Sequence, residues 1–409
     1  MKTLKRILAA TTLLVTLGFA SEANAQVPLE NFFKNPEKAG YQISPDGKYF
    51  SYMAPYENRL NLFVQEVGSD KATRITSETV RDLAGSMWAN GHRILYIKDT
   101  AGDENFQLYG VNVDGTDSKA YTAFPKVRTT IIDPLENIDS LVIIGLNKRN
   151  PQVFDPYRLN LNNGELTQLA ENPGNIQGWM TDHNGKLRVA LAIVDGVNTQ
   201  ILYRETEEQP FRPVLTTNFK ETVSFATFTP DNKMVYALTN IGRDKTALVL
   251  MDPATCEEKE VLYTNDKYDI SGLGYSELKK KLISVSCTGH KGTIRHYFDK
   301  NEEAIRTKLE QKLEGYDINT TSEDKSENIR IIYAGGDRTY GTYYTYNVKE
   351  DKLTKIADLA PWIKEEDMVP MHPITYTSRD GLTIEGYLTL PKGYTCLLYT
   401  SPSPRDQRG

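Results

Sequence analysis

The sequence predicts an all-β fold, a seven-bladed β-propeller, and three observations support this prediction. A polar turn followed by an apolar strand recurs seven times along the 409 residues at nearly constant spacing. Further short strands and turns alternate at intervals of about 8–12 residues between these copies. The 24 tyrosines often stand beside Val, Ile or Thr, a composition that suits half-buried strands.

The seven polar turns define the repeat. The clearest copy places Ser44-Pro45-Asp46-Gly47 before the strand at residues 49–53. One marker residue from each turn gives the series Gly47, Gly91, Asn137, Gly185, Asn232, Glu277 and Glu327. Successive markers are 44, 46, 48, 47, 45 and 50 residues apart, which is the length of one four-stranded blade.

A closed ring explains this period, because a single four-stranded blade cannot bury both of its faces. Seven blades around one axis bury those faces and leave only short, protected strand edges. A pair of β-sandwiches is the alternative all-β fold, and it does not account for the regular period.

One segment departs from the strand pattern. Residues 301–314 place Ile305, Leu309 and Leu313 four residues apart, which predicts a short amphipathic helix inserted in the sixth blade. Asp299 and Glu302 stand where a capping box would place them. The helix is expected to pack on its own blade, with a partner-binding helix as the alternative.

Residues 1–25 are predicted to be a signal peptide. Lys2, Lys5 and Arg6 precede an apolar run, and Ala23-Asn24-Ala25 supplies a cleavage site before Gln26. The apolar run of about 14 residues is shorter than the roughly 20 that cross a bilayer. We therefore expect a periplasmic or secreted protein without a membrane span, with an uncleaved anchor as the alternative.

The propeller is predicted to occupy residues 26–368, and a new domain begins after it. Residues 369–394 contain two strands around a polar turn, and such a hairpin is not stable alone. Residues 395–409 show neither strand nor helix periodicity. This tail resembles a translated adapter or frame-shifted sequence, and a genuine disordered terminus is the alternative.

Composition narrows the class of protein. The net charge is −6 with both signs scattered, which predicts no nucleic-acid partner. Cys256, Cys287 and Cys396 are too few for a disulfide framework. A Cys256–Cys287 bond and a pair of buried thiols both remain open.

Five stretches of the sequence point to one protein family. These are residues 41–48, 99–109 (DTAGDENFQLY), 147–159 (NKRNPQVFDPYRL), 178–188 and 380–388. Over about residues 28–394 the chain resembles the exported dipeptidyl- and acylaminoacyl-peptidase branch of the prolyl oligopeptidase family of serine peptidases. The second and the last of these stretches, in that order, are the most specific.

The resemblance implies a peptide substrate and an α/β-hydrolase domain after the propeller. In that family the hydrolase domain carries Ser, Asp and His, with the serine in a G-x-S-x-G turn. This sequence contains no G-x-S-x-G, so no triad residue can be assigned. Residues 369–394 are interpreted as the start of a truncated hydrolase domain, and the chain itself is expected to be inactive. The alternative is a non-enzymatic periplasmic binding or scaffold propeller. The hairpin argues against this alternative, because a closed propeller does not require it.

We assign no catalytic, cofactor-binding or metal-ligating residue within the chain. His92 and His183 fall in turns and are interpreted as solvated surface residues, and His372 lies in the hairpin segment. His290 and His296 with Asp299 fit no compact zinc spacing, and they are interpreted as blade-loop residues.

Two further clusters are also interpreted as structural. Asp99, Asp103, Glu104 and Asn105 lack the spacing of an EF-hand loop, so a solvated turn is expected rather than a calcium site. The other alternative is that these carboxylates face the tunnel and hold the free amine of a substrate. A dense set of tyrosines is explained by strand packing rather than by a ligand cage, namely Tyr333, Tyr340, Tyr343, Tyr344 and Tyr346.

Overall fold

The computed structural model describes residues 27–392, which form seven antiparallel sheets followed by a two-stranded hairpin. The seven-bladed β-propeller predicted from the repeat is therefore confirmed. The predicted signal peptide and the tail at 395–409 lie outside the described residues.

The first four sheets each contain four strands, paired in chain order. Blade 1 comprises β1 (Ala39–Ile43), β2 (Tyr49–Tyr56), β3 (Arg59–Glu66) and β4 (Ala72–Arg74). Blade 2 comprises β5 (Gly85–Asn90), β6 (Arg93–Lys98), β7 (Gln107–Asn112) and β8 (Lys119–Ala120). Blade 3 comprises β9 (Thr129–Asp133), β10 (Leu141–Leu146), β11 (Asp155–Asn160) and β12 (Leu166–Gln168). Blade 4 comprises β13 (Ile176–Thr181), β14 (Leu187–Val194), β15 (Asn198–Tyr203) and β16 (Arg212–Thr217).

The remaining sheets follow the same order, but the sixth stops at three strands. Blade 5 comprises β17 (Val223–Phe228), β18 (Val235–Thr239), β19 (Ala247–Met251) and β20 (Glu258–Tyr263). Blade 6 comprises β21 (Ile270–Ser276), β22 (Lys281–Gly289) and β23 (Gly292–Tyr297), and helix α1 (Lys300–Lys312) follows it. Blade 7 comprises β24 (Asp317–Glu323), β25 (Ile329–Gly336), β26 (Thr339–Asn347) and β27 (Lys352–Asp358). The hairpin is β28 (Met371–Thr377) with β29 (Thr383–Thr389), and short 3-10 turns lie at Leu29–Phe32 and Glu365–Asp367.

The seven marker residues of the sequence repeat all occupy the same place in their blades. Each lies in the turn between the first and second strands, as Gly47 does between β1 and β2. These turns contact one another at one end of the ring. For example, the Lys325 amide donates to the Pro45 carbonyl at 2.9 Å, and Asn90 donates to the Asp139 carbonyl at 3.2 Å. We call this end of the ring the turn face.

Apolar clusters join neighbouring blades, because alternate residues of a strand point to opposite faces of its sheet. Residue pairs from such shared clusters are Leu62 with Ile94 (blades 1 and 2), Leu95 with Val142 (2 and 3), Val189 with Val249 (4 and 5), Leu248 with Val285 (5 and 6) and Tyr52 with Ile331 (7 and 1). Among the described residues, no cluster of this kind joins blades 3 and 4, and at the contact between blades 6 and 7 helix α1 packs instead.

Helix α1 begins as predicted and packs differently. Asp299 caps it by accepting from the Asn301 and Glu302 amides at 2.8 and 3.1 Å. The apolar side of the helix is buried with residues of β24–β26, with Leu309 only 2% exposed. The prediction that the helix packs on its own blade was incomplete, because the helix contacts β23 of blade 6 but the apolar residues that it meets lie on blade 7. Its apolar side is therefore not available to a partner.

The capping box at the start of α1 is incomplete. The Glu302 carboxylate does not turn back to the cap. It accepts from Arg330 of blade 7 at 2.8 and 3.0 Å and from Lys279 of blade 6 at 2.7 Å. Glu302 therefore ties the helix to both neighbouring blades.

The ring closes between blades 1 and 7 without a shared strand. The Ile43 amide donates to Ser322 Oγ at 3.0 Å, and the rings of Tyr41 and Tyr343 lie 5.2 Å apart. Because four antiparallel strands return the chain to its starting end, the segments before β1 and after β27 share the end opposite the turn face. Trp362 Nε1 accordingly donates to the Asn31 carbonyl at 2.9 Å. We call this end the terminal face.

Cys256 and Cys287 are both free. Burial raises the pKa of the Cys256 thiol to about 11, so it is protonated at neutral pH. Cys396 is outside the described residues. Between residues 27 and 392 no helix is long and apolar enough to cross a bilayer.

Candidate functional site

A cavity of about 1070 Å³ lies inside the ring near the turn face. Its walls come mainly from the first strands of the blades and from the turns that follow them. Gln42, Trp88, Asn137, Tyr275 and Asn319 represent five different blades in this lining. The cavity is therefore axial, and it extends outward between blades 6 and 7.

Polar contacts between distant blades cross the axis at the turn face. Asn137 of blade 3 donates to the Glu277 carboxylate of blade 6 at 3.0 Å. Lys325 of blade 7 forms an ion pair with Asp139 of blade 3 at 2.7 Å. These blades are not neighbours in the ring, so the contacts narrow the mouth of the axial cavity at this end.

His183 belongs to the same group of contacts. Its Nε2 lies 2.9 Å from the Phe228 carbonyl oxygen, so this nitrogen carries the proton. Nδ1 lies 3.5 Å from the Glu277 carboxylate, and the imidazole stacks on Tyr275 at 5.4 Å. The interpretation of His183 as a solvated surface residue was wrong, because it joins blades 4, 5 and 6.

Glu136 is a further acidic group at this mouth, beside Glu277 and Asp139. Burial, and then the neighbouring carboxylates of Glu277 and Asp133, raise its pKa above the ordinary value. A smaller cavity of about 280 Å³ lies beside it, lined by Glu136, His183 and Glu277 among others. The turn face therefore combines several titratable side chains with a narrowed axial mouth.

The hairpin lies on the terminal face and is tied to blade 6. His290, in the turn between β22 and β23, places Nε2 3.0 Å from the Gly386 carbonyl oxygen. Tyr387 donates to the His290 carbonyl at 2.8 Å, and Glu385 forms an ion pair with Lys267 at 2.8 Å. The turn position of His290 was predicted, but its contact with the hairpin was not, since 96 residues separate His290 from Gly386.

Large apolar side chains remain exposed around the hairpin. Tyr376 is 57% exposed, Leu382 61% and Tyr387 55%. Phe33, on the segment before β1, is 79% exposed at the same end of the ring. Clustered exposed apolar residues of this kind are typical of a surface that another domain covers.

The remaining histidines and Asp299 do not converge on a common site. His92 is exposed in the turn between β5 and β6, and His372 is exposed on β28. His296 lies on strand β23, so its interpretation as a blade-loop residue was wrong; it stacks on Tyr263 at 4.5 Å, whereas Asp299 caps helix α1. Within the part of the chain that the structure describes, no three His, Cys, Asp or Glu side chains form a metal-binding group.

The acidic cluster lies in the turn between β6 and β7. Asp103 accepts from the backbone and side chain of Asn105 at 3.1 and 3.0 Å, as in a solvated turn. Asp99 is buried and lies 3.5 Å from the Arg81 guanidinium. None of the four predicted residues lines the axial cavity near the turn face, and their turn lies at the opposite end of the blade, so the tunnel-facing alternative stays a prediction.

The tyrosines of blade 7 mostly serve packing, as predicted. Tyr346 is 1% exposed, and Tyr343 contacts Tyr333 and Tyr41 in the joint with blade 1. Tyr340 is instead half exposed and donates to the Phe32 carbonyl at 2.8 Å.

The chain is similar to two curated peptidases. It is 29% identical over 372 residues to dipeptidyl aminopeptidase BIII of Pseudoxanthomonas mexicana, a match that covers 88% of this chain and 52% of that protein. It is 26% identical over 420 residues to dipeptidyl peptidase family member 6 of Caenorhabditis elegans, covering 97% of this chain and 55% of that protein. The chain thus spans about half the length of these relatives. No family model matches it.

Solved structures give the same fold. A prolyl endopeptidase structure superposes with a TM-score of 0.62 at 12% identity, covering 89% of this chain and 55% of that one. Prolyl oligopeptidase B from Galerina marginata superposes with a TM-score of 0.58 at 12% identity, covering 90% of this chain and 57% of that one. This is a propeller of the prolyl oligopeptidase type. In this prolyl oligopeptidase-type propeller the described residues include all seven blades, and the hairpin follows them on the terminal face.

Proposed function

We propose that this chain supplies the propeller that covers the active site of an exported serine peptidase acting on short peptides, in the manner of a dipeptidyl or acylaminoacyl peptidase. The observation that carries the proposal is the hairpin on the terminal face, tied to His290 and Lys267 and still exposing Tyr376, Leu382 and Tyr387. A further domain packed there would cover these side chains. Both curated relatives extend well beyond the matched part.

The chemistry is assigned to an α/β-hydrolase domain. Its serine would attack the peptide carbonyl, its histidine would accept the serine proton, and the acyl-enzyme would then be hydrolysed by water. The 409 residues contain no G-x-S-x-G turn to position such a serine. The propeller contributes binding and exclusion, and the 409-residue chain alone is proposed to be inactive.

The axial cavity supports the restriction to short substrates. Its volume of about 1070 Å³ is at the upper end of small-ligand sites and far below that of a folded protein. The contacts of Glu277 with Asn137 and of Lys325 with Asp139 narrow the mouth at the turn face. A folded substrate would therefore be excluded from the axis, whereas an extended peptide of a few residues would fit.

Export to the periplasm or the medium completes the proposal. The basic residues, apolar run and Ala-Asn-Ala site of residues 1–25 support it.

One experiment tests enzyme class and export together. The coding sequence is followed downstream in its source, and the extended protein and the 409-residue chain are expressed in parallel with a fluorophosphonate probe. We expect an extended frame with G-x-S-x-G, a labelled serine in the extended protein and no label in the 409-residue chain. Intact mass should place the exported N-terminus at Gln26.

Covalent labelling of the 409-residue chain would refute its inactivity. A stop codon shortly after residue 394 in the source would favour the scaffold propeller over the peptidase. A mature protein that still begins at Met1 would refute the cleaved signal peptide.

A further inference from the structure

The face of blade 6 that turns toward blade 7 is polar. Ser284 pairs with Tyr297 and Ser286 with Arg295 across β22 and β23, so all four side chains lie on one face of this sheet. All four line the outward extension of the axial cavity. This face therefore borders a water-accessible space instead of an apolar cluster.

The opposite wall comes from helix α1 and β24, and most of its charges are already paired. Arg306 donates to Glu310 at 2.7 Å and to the Ile318 carbonyl at 2.7 Å. Glu302, deeper in the wall, is neutralised by Arg330 and Lys279. Glu302 and Glu310 of the helix are thus already paired, whereas Asp317 of β24 forms no ion pair within residues 27–392.

Arg295 is the exception. In residues 27–392 no carboxylate forms an ion pair with its guanidinium, and its hydrogen bond to Asn319 Oδ1 is long, at 3.4 Å. Burial, and then the neighbouring charge of Arg306, lower the pKa of Arg295 below its ordinary value. The nearby carboxylates of Glu310 and Asp317 offset this effect only in part, because neither forms an ion pair with the guanidinium. An anion in the cavity would relieve the remaining cost of the half-buried cation.

We propose that the cavity between blade 6 and helix α1 binds a ligand through an oxyanion group, either a carboxylate or a phosphate, with Arg295 as the main contact. The guanidinium offers two parallel N–H donors, a geometry that matches both groups. Ser284, Ser286 and Tyr297 add hydroxyl groups on the same wall. The site lies within the propeller and does not depend on the proposed peptidase activity.

The test uses the full 409-residue chain and isothermal titration at constant ionic strength. The probes are inorganic phosphate, acetate, the peptide Ala-Ala-Ala and its C-terminal amide, with chloride as the background ion. Variants are Arg295→Gln, Arg295→Lys and the control Lys291→Gln. The control removes the same charge from the exposed turn of the same β22–β23 hairpin.

We expect at least one anionic probe to bind, and the amide to bind at least tenfold more weakly than the free peptide if the group is a carboxylate. Tighter binding of inorganic phosphate than of acetate or the free peptide would assign the oxyanion group as a phosphate. Arg295→Gln should weaken binding at least tenfold, Arg295→Lys should weaken it less, and Lys291→Gln should leave it unchanged. Because Arg295 has no ion pair to lose, Arg295→Gln should unfold at a temperature no lower than wild type without ligand.

Two results would overturn the proposal. One is the absence of binding by all four probes to the wild-type chain. The other is equal weakening by Arg295→Gln and Lys291→Gln, which would indicate a general effect of charge. Neither result bears on labelling by fluorophosphonate, so the proposed function stands or falls separately.

Discussion

Asp299 illustrates how one side chain can serve a helix and a blade at once. Its carboxylate accepts from two amides at the start of α1, and it pairs with Lys281 of β22 at 2.7 Å. The Lys281 hydrogen bond, followed by the amide of Glu302, lowers the pKa of Asp299 to about 2. The folded state therefore stabilises the ionised form of Asp299 more than the unfolded chain does.

This shift gives a prediction with a defined sign. Because the pKa is lowered on folding, the charge of Asp299 stabilises the protein above about pH 4, the unfolded value. That contribution is lost as the pH falls from about 4 toward 2. Asp299→Asn keeps an acceptor for the cap and loses the charge, whereas Asp299→Ala loses both and should cost about 1 kcal/mol more than Asp299→Asn at pH 7.

The measurement is urea unfolding of the three proteins between pH 7 and pH 3. The gap between wild type and Asp299→Asn should narrow toward pH 3, and the gap between Asp299→Asn and Asp299→Ala should persist. A wild-type advantage that does not change with pH would contradict the ionic contribution.

At the scale of elements, helix α1 is the joint between blades 6 and 7. Leu309 and Leu313 are buried with Ile318, Ile332 and Tyr346 of blade 7. The helix caps and ion pairs connect it to Lys279 and Lys281 of blade 6. Apolar packing therefore holds the helix against blade 7, and ion pairs connect it to blade 6.

Substitution in the helix should separate these contributions. Leu309→Ala removes a side chain that is 2% exposed, and it should lower the free energy of unfolding by about 2–5 kcal/mol. Gln311→Ala changes an exposed residue of the same helix and should shift it by less than about 0.5 kcal/mol. Urea unfolding monitored by circular dichroism measures both. Similar losses in the two variants would mean that helix propensity, not packing, anchors α1.

The sequence predicted elements better than it predicted their partners. Local signals located the helix within two residues at each end and placed two strands around a turn in the hairpin segment, because caps, turns and periodicity act over a few residues. The packing of α1 on blade 7 and the pairing of Glu302 with Arg330 depend on how the ring folds back. The roles of His183 and His290 escaped prediction for the same reason, since their partners are 45 and 96 residues away.

At the scale of the whole molecule, the joints between blades are unequal. Blades 4 and 5 share an apolar cluster around Val189 and Val249, whereas blade 6 turns a polar, cavity-lining face toward blade 7. Strand β23 is also the outer edge of its sheet, with no fourth strand beside it. Local opening should therefore begin in blade 6 rather than uniformly around the ring.

Hydrogen exchange followed by mass spectrometry tests this expectation. Amides of β22 and β23 should exchange on the order of tenfold faster than those of β18 and β19 in blade 5, because fewer apolar contacts oppose their opening. Peptides from the two blades serve as internal controls for each other. Faster exchange in blade 5, or equal protection in both, would refute an opening that begins at blade 6.

The helix that follows the three strands of blade 6 bears on the number of residues between the first strands of successive blades. Thirteen helical residues rise about 20 Å, and a six-residue strand such as β16 also rises about 20 Å. Nineteen residues, including α1, separate β23 from β24. Nineteen residues, including β16, also separate β15 from β17. The fourth element of a blade thus has to cover a length of about 20 Å between the two faces of the ring. A helix with short connections covers this length as well as a strand with long connections. A blade can change its outer element in this way without altering the distance along the chain to the next inner strand.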